Sequence, residues 1–134
     1  MKETIAKSDW LAAQACPAMA WYAMRDARPI PTEVDRFRME QGQEVGALAR
    51  QLFPRGIFVS PRDGRTAEEL TRSLIADEAV TILFEATFGH GPFVAKADIL
   101  ERQPAGWHVL EVKSSLAGER RLPAPVPFET DLLR

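Results

Sequence analysis

The chain has 134 residues, 46% of them hydrophobic and 27% charged, which suits one folded domain large enough to bury a substantial core. Its 17 basic and 19 acidic residues give a net charge of −2, which excludes a globally basic nucleic-acid binder but not a locally acidic metal enzyme, where a cation restores affinity for phosphate. No apolar run approaches the ~18 residues of a membrane span, no apolar segment follows Met1–Thr4 as a secretory signal requires, and Cys16, the only cysteine, rules out an internal disulfide and points to the cytoplasm.

Ser8 to about Met24 reads as a first helix with Ser8 as N-cap and Trp10, Leu11, Ala15, Met19 and Tyr22 on one face. Pro29 and Pro31 mark a break. A second helix is expected from Thr32 to Leu52, opened by Thr32 and Asp35 as a capping box and closed before Pro54. Its apolar stripe is Val34, Phe37, Val45, Leu48 and Leu52, with Gln41 and Glu44 on or beside it. Gly42 and Gly46 each cost ~1 kcal/mol relative to alanine in a helix, which suggests close backbone packing there. Gly56–Ser60 reads as a short strand, and Thr66-Ala67-Glu68-Glu69 as the capping box of a third helix reaching Ala76.

The period then changes. Ala79–Phe88, Phe93–Glu101 and Trp107–Ser114 are β-rich runs separated by Gly89-His90-Gly91-Pro92 and Gln103-Pro104-Ala105-Gly106, connections that suit an antiparallel meander. Pro123, Pro125 and Pro127 disfavour helix and central strand, so 116–134 reads as an irregular or extended tail after a domain of 1–115. The expected fold class is α/β: N-terminal helices packed on a small mixed or antiparallel sheet.

Chemistry concentrates on the last two runs. Alternation along a strand sends Glu111 and Lys113 to one face and Leu110 and Val112 to the other. The preceding hairpin brings Asp98 back towards Glu111. Two carboxylates on neighbouring strands make an oxygen site for Mg²⁺ or Mn²⁺, with the Val112 carbonyl as a further ligand. Such a cation polarises a phosphodiester and acidifies a bound water, and Lys113 would orient that water or neutralise charge on the phosphate.

Ala97-Asp98-Ile99-Leu100 followed by Glu111-Val112-Lys113-Ser114-Ser115 resembles the signature of the PD-(D/E)XK nuclease superfamily, in particular its RecB-like and CRISPR-associated exonuclease branch. Lys7-Ser8-Asp9-Trp10 with Cys16-Pro17 and Trp21 resembles that branch's N-terminal helix. Gln41-Gly42-Gln43-Glu44-Val45-Gly46 resembles its first-motif helix, with Glu44 at the position that contributes a metal ligand. The resemblance implies a restriction-endonuclease-like core, DNA as substrate, Mg²⁺ or Mn²⁺ as cofactor, and Asp98, Glu111 and Lys113 as catalytic residues. No cysteine group follows the strands, so no iron–sulfur cluster is implied. The branch's Gln-x-x-x-Tyr motif is also missing: no glutamine follows Gln103, and Tyr22 is the only tyrosine. A catalytically silent binding or assembly module, and a homodimer formed through the tail, are therefore the competing expectations.

Several residues carry two readings at this point. Glu44 is a boundary residue of an amphipathic helix or a metal ligand. Glu85 is a fourth acid at the site or an outward side chain. Lys96, placed by alternation on the face of Asp98, either pairs with it or meets phosphate. Lys113 is a site residue or a strand-edge solubility device. Trp10, Trp21 and Tyr22 build core or stack on bases, His90 is a turn residue, and His108 lies on the face opposite Glu111.

Overall fold

A computed structural model describes residues 3–25, 30–61 and 64–114. The fold is mixed α/β, with β1 (Ile5–Ala6), α1 (Lys7–Ala15), α2 (Pro17–Met24), α3 (Glu33–Gln51), β2 (Ile57–Phe58), α4 (Ala67–Ala76), β3 (Ile82–His90), β4 (Phe93–Gln103) and β5 (Gly106–Leu110). The tail at 116–134, with the interface expected of it, lies outside the described residues.

The expected first helix is two helices. Proline lacks an N–H and forces the residue before it out of the α region. Cys16 accordingly adopts φ −161°, ψ 116°, ending α1 and leaving Pro17 at the start of α2. The start differs as well: Ala6, not Ser8, is the N-cap, and its N–H donates to the buried Asp9 carboxylate at 3.0 Å. Trp10 is half-buried, but Trp21 and Tyr22 are exposed and pack edge-to-face on each other, with Arg25 over the Trp21 ring.

The capping boxes of α3 and α4 form as expected. Asp35 N–H donates to Thr32 Oγ1 and Thr32 N–H to the Asp35 carboxylate, and Thr66 and Glu69 repeat the arrangement. The hydroxyl and N–H of Thr32 hold the Asp35 carboxyl below its ordinary pKa, and the N–H and hydroxyl of Thr66 do the same for Glu69.

The sheet order is β1-β4-β3-β2, and β5 also pairs with β4. β3, β4 and β5 form the expected antiparallel meander, while the two-residue strands β1 and β2 add parallel pairings that make the sheet mixed. β4 is thus paired with β3 along its length. On the other side it meets β1 at Phe93–Val94 and β5 from Ile99 to Gln103. Asp98 falls at the gap between those two short partners.

Each face of the sheet carries a core. On one, Val59, Val80, Leu83, Ala86, Ala97 and Leu100 pack with Leu70, Leu74 and Ile75, whose α4 positions follow helical spacing. Arg102 ties the end of α4 to this layer by donating to the carbonyls of Val80, Ile75 and Asp77 at 2.7–2.9 Å while stacking on Trp107. On the other face, Ile82, Phe84 and Ile99 pack with Ala49, Phe53, Leu110 and Val112.

Ala49 and Phe53 anchor the end of α3, and this sets its rotation. Most of the stripe expected to face the core is turned to solvent: Val34, Phe37, Leu48 and Leu52 are all more than half exposed, and only Val45 is half-buried. The opposite side, bearing Met39, Gly42, Gly46 and Arg50, looks towards the sheet. Gly42 has no neighbour within 4 Å of a would-be Cβ, and Gly46 meets only the Arg50 side chain of its own helix at 3.4 Å, so neither marks close backbone packing. Gly56 does: a Cβ there would stand 2.2 Å from the Phe84 ring.

One irregularity crosses the sheet. Leu83, Ala86 and Phe88 share the α4-side core, although strict alternation would separate Leu83 from the other two. Ala97 and Leu100 likewise share it. The pairs Phe84–Ile99 and Ala86–Ala97 keep the register unbroken, so Glu85 and Asp98 are the facing residues at which both strands exchange faces. Glu85 takes the left-handed conformation, φ 57°, that effects the step.

Side chains complete the hydrogen bonding there. The Thr87 hydroxyl donates to the Glu85 carbonyl at 3.1 Å, and Thr87 N–H donates to the buried Thr71 Oγ1 at 2.9 Å. Thr71→Val keeps the shape but leaves that buried N–H unpaired, a loss of about 1–3 kcal/mol. Urea denaturation should register this loss, and amide exchange at Thr87 should accelerate; a variant as stable as the wild type would refute the role given to Thr71.

Candidate active-site cleft

A cleft of about 440 Å³ separates α3 from the sheet at the face-exchange step. Met39, Gly42, Gln43, Gly46 and Arg50 form its helical wall, and Glu85, Asp98, Ile99 and Val112 form the sheet wall, with Phe58 at the β2 end.

Asp98 is half-buried, and its Oδ2 accepts the Val112 N–H at 2.7 Å. This bond holds the segment leaving β5 against β4. It places the Asp98 carboxylate on the backbone N–H between Glu111 and Lys113. The strand itself is shorter than expected: β5 stops at Leu110, so Glu111 and Lys113 lie just beyond it. Alternation nevertheless persists. Leu110 and Val112 pack on Ile82, Phe84 and Ile99, while Lys113 Nζ contacts Glu111 Oε1.

Glu111 does not line the cleft. Lys7 Nζ, at the start of α1, lies 3.5 Å from Glu111 Oε1, so the carboxylate is shared by two lysines in the gap between β1 and β5. Burial pushes its pKa up, but the hydrogen bond and charge of Lys113, joined by Lys7, outweigh burial and leave it below the ordinary value. A depressed carboxyl stabilises the fold above its unfolded pKa of about 4.3. That contribution is lost as pH falls through the lower, folded value.

Glu85, whose role the sequence leaves open, does line the cleft and faces Asp98 across the β3–β4 pair. Lys96 Nζ lies 3.9 Å from Glu85 rather than pairing with Asp98. Gln41 and Glu44 are exposed and absent from the cleft lining; they turn outward with the Val34–Leu52 stripe. His90 ends β3 beside the turn, and His108 lies 4.0 Å from Glu101, away from the cleft. Sequence reasoning missed Arg50 and Lys7. No motif marks Arg50, and the Lys7-Ser8-Asp9-Trp10 run gives Lys7 no place at the site: the rotation of α3 and the parallel β1–β4 pairing bring them there.

A left-handed backbone costs a non-glycine residue roughly 1–2 kcal/mol. Glu85→Gly should therefore be about 1 kcal/mol more stable than Glu85→Ala, which keeps the Cβ. Equal urea midpoints for the two variants would remove strain from the account of this residue.

The residues here that could hold a hard divalent cation are Asp98 and Glu85. Mg²⁺ is commonly held by one or two carboxylates and completes its octahedron with water and substrate oxygens. Asp98 and Glu85 supply carboxylates on the sheet wall, and Val112 supplies backbone next to Glu111. No cluster of three or more acidic, histidine or cysteine side chains that would enclose a cation occurs among the described residues, and none of the helices among them is long and apolar enough to cross a membrane. Comparisons with protein-family models, curated protein sequences and solved structures returned no match.

Proposed function

We propose that this chain is a metal-dependent nuclease of the PD-(D/E)XK type, with a restriction-endonuclease-like core over 1–115, that hydrolyses DNA phosphodiester bonds in the cytoplasm. The observation that carries the reading is the hydrogen bond from Val112 N–H to Asp98, which couples the β4 aspartate to the Glu-x-Lys segment at the mouth of a cleft.

Asp98 and Glu85 on the sheet wall of the cleft would hold Mg²⁺ or Mn²⁺ with the Val112 carbonyl, and Glu111, on the segment that Asp98 anchors, would complete the set. The cation would supply Lewis-acid polarisation of the phosphate and a bound water of lowered pKa. Asp98 is held in place by its bond to the Val112 backbone, so its carboxylate meets the ligand without a prior rearrangement. Lys113 and Lys7 compensate the charge of Glu111. Lys113 would be the group that orients the attacking water or neutralises charge developing on the phosphate.

A binding module without turnover is the second reading, favoured by the engagement of Glu111 with two lysines and by the outward position of Glu44. A labelled oligodeoxynucleotide incubated with the full chain separates the two. Release of shorter products in Mg²⁺ or Mn²⁺, abolished by chelation, supports the nuclease; retention of intact DNA in a complex supports the module.

A further inference from the structure

The geometry points to Arg50 as the residue that grips a nucleic-acid backbone phosphate in the cleft between α3 and the sheet. The inference rests on the nuclease reading for the identity of its ligand, and it adds to that reading a cation that none of the recognised motif positions contains.

The other cations around the site are engaged with carboxylates. Lys7 and Lys113 share Glu111, and Lys96 faces Glu85. Arg50 lines the same cleft yet has no carboxylate partner among the described residues. Its guanidinium folds back along α3, so that Nη1 stands 3.4 Å from where a Gly46 Cβ would be, and Cζ lies 5.6 Å from the centre of the Phe58 ring. A planar guanidinium resting on an aromatic face keeps its N–H edge free for bidentate contact with phosphate oxygens.

Position supports the same role. Arg50 comes from the helical wall, while Glu85 and Asp98 come from the sheet wall of the one cleft. A phosphodiester bridging the walls would meet the guanidinium on one side and the acidic, cation-binding side on the other. The helix C-terminus favours a cation at this point, which accounts for a basic residue but not for its lying inward over Gly46 and Phe58.

The test measures binding of a fluorescein-labelled single-stranded oligodeoxynucleotide to the full chain by anisotropy over a range of salt, beside cleavage in Mg²⁺. Arg50→Gln is expected to weaken binding about tenfold, since a charge-assisted contact carries roughly that factor. It should also lower the slope of log affinity against log salt by about 0.7, the loss of one phosphate contact on a single strand. Arg36→Gln, an exposed α3 arginine outside the cleft lining, should change neither by a comparable amount, and Arg50→Lys should fall between wild type and Arg50→Gln.

Unchanged affinity and slope in Arg50→Gln, an equal loss in Arg36→Gln, or no oligonucleotide binding by the wild type would overturn the assignment. Cleavage is scored separately. A chain that binds through Arg50 without cleaving supports the grip and removes the catalytic reading. A chain that cleaves through Asp98 with Arg50 indifferent removes the grip alone.

Discussion

Asp98→Asn is expected to lower the rate of Mg²⁺-dependent DNA cleavage by about three orders of magnitude while leaving the fold intact. The two halves have separate causes. A cation at a reacting phosphate contributes several kcal/mol of transition-state stabilisation, and about 4 kcal/mol corresponds to a thousandfold in rate. Asparagine removes the charge that would hold the cation but keeps an oxygen where Asp98 Oδ2 now accepts the Val112 N–H. Stability should therefore stay within about 1 kcal/mol of wild type. Asp98→Ala removes charge and acceptor together, so it should lose both activity and the anchoring of the segment after β5. Initial rates with wild type, Asp98→Asn and Asp98→Ala, each beside a urea melt, check the pair of expectations. Full activity in Asp98→Asn would remove Asp98 from the chemistry.

The largest expected effect on stability belongs to Leu100→Ala. Leu100 is fully buried in β4, between the α4-side core and the centre of the sheet. Truncating a buried leucine costs about 2–5 kcal/mol, because lost burial is compounded by the cavity left behind. Total stability of a domain this size is on the order of 5–15 kcal/mol, so a large part of it would be lost. Leu48→Ala is the informative contrast. Leu48 is 60% exposed on α3, so its truncation should cost no more than about 0.5 kcal/mol. Midpoints in urea at unchanged slope measure both. A cost at Leu48 matching that at Leu100 would mean that the outer stripe of α3 is covered in the folded protein.

That contrast also marks where the sequence was legible and where it was not. The caps at Thr32 and Thr66 were readable because a capping box is a local motif whose partners lie three residues apart. The β3–β4–β5 meander was readable for a similar reason: alternation and Gly/Pro turns operate over short spans. The rotation of α3 was not. Periodicity identifies Val34, Phe37, Val45, Leu48 and Leu52 as one apolar face, but the anchoring of Ala49 and Phe53 on Ile82, Phe84 and Ile99 turns all of it but the half-buried Val45 away. Glu44 and Gln41 turn outward with it.

The site shows the same division. The hairpin that brings Asp98 beside the Glu111–Lys113 segment is legible in the sequence, but the bond of Asp98 to the Val112 N–H and the position of Glu111 outside the cleft are not. The approach of Lys7 to Glu111 depends on β1, a two-residue strand too short to leave a pattern in sequence. The facing of Glu85 and Asp98 was hidden for another reason. Strict alternation describes a regular strand, and a left-handed glutamate matched by a step in the partner strand breaks it without disturbing register. Breaks of this kind re-aim side chains and often accompany functional sites.

The direct test of the central claim, that the Asp98 cleft holds a divalent cation, is Mn²⁺ binding followed by electron paramagnetic resonance, which requires neither substrate nor turnover. One Mn²⁺ bound per wild-type chain, displaced by Mg²⁺ and lost in Asp98→Asn, is the predicted result. Equal binding by wild type and Asp98→Asn, or no binding by either at millimolar Mn²⁺, would contradict it.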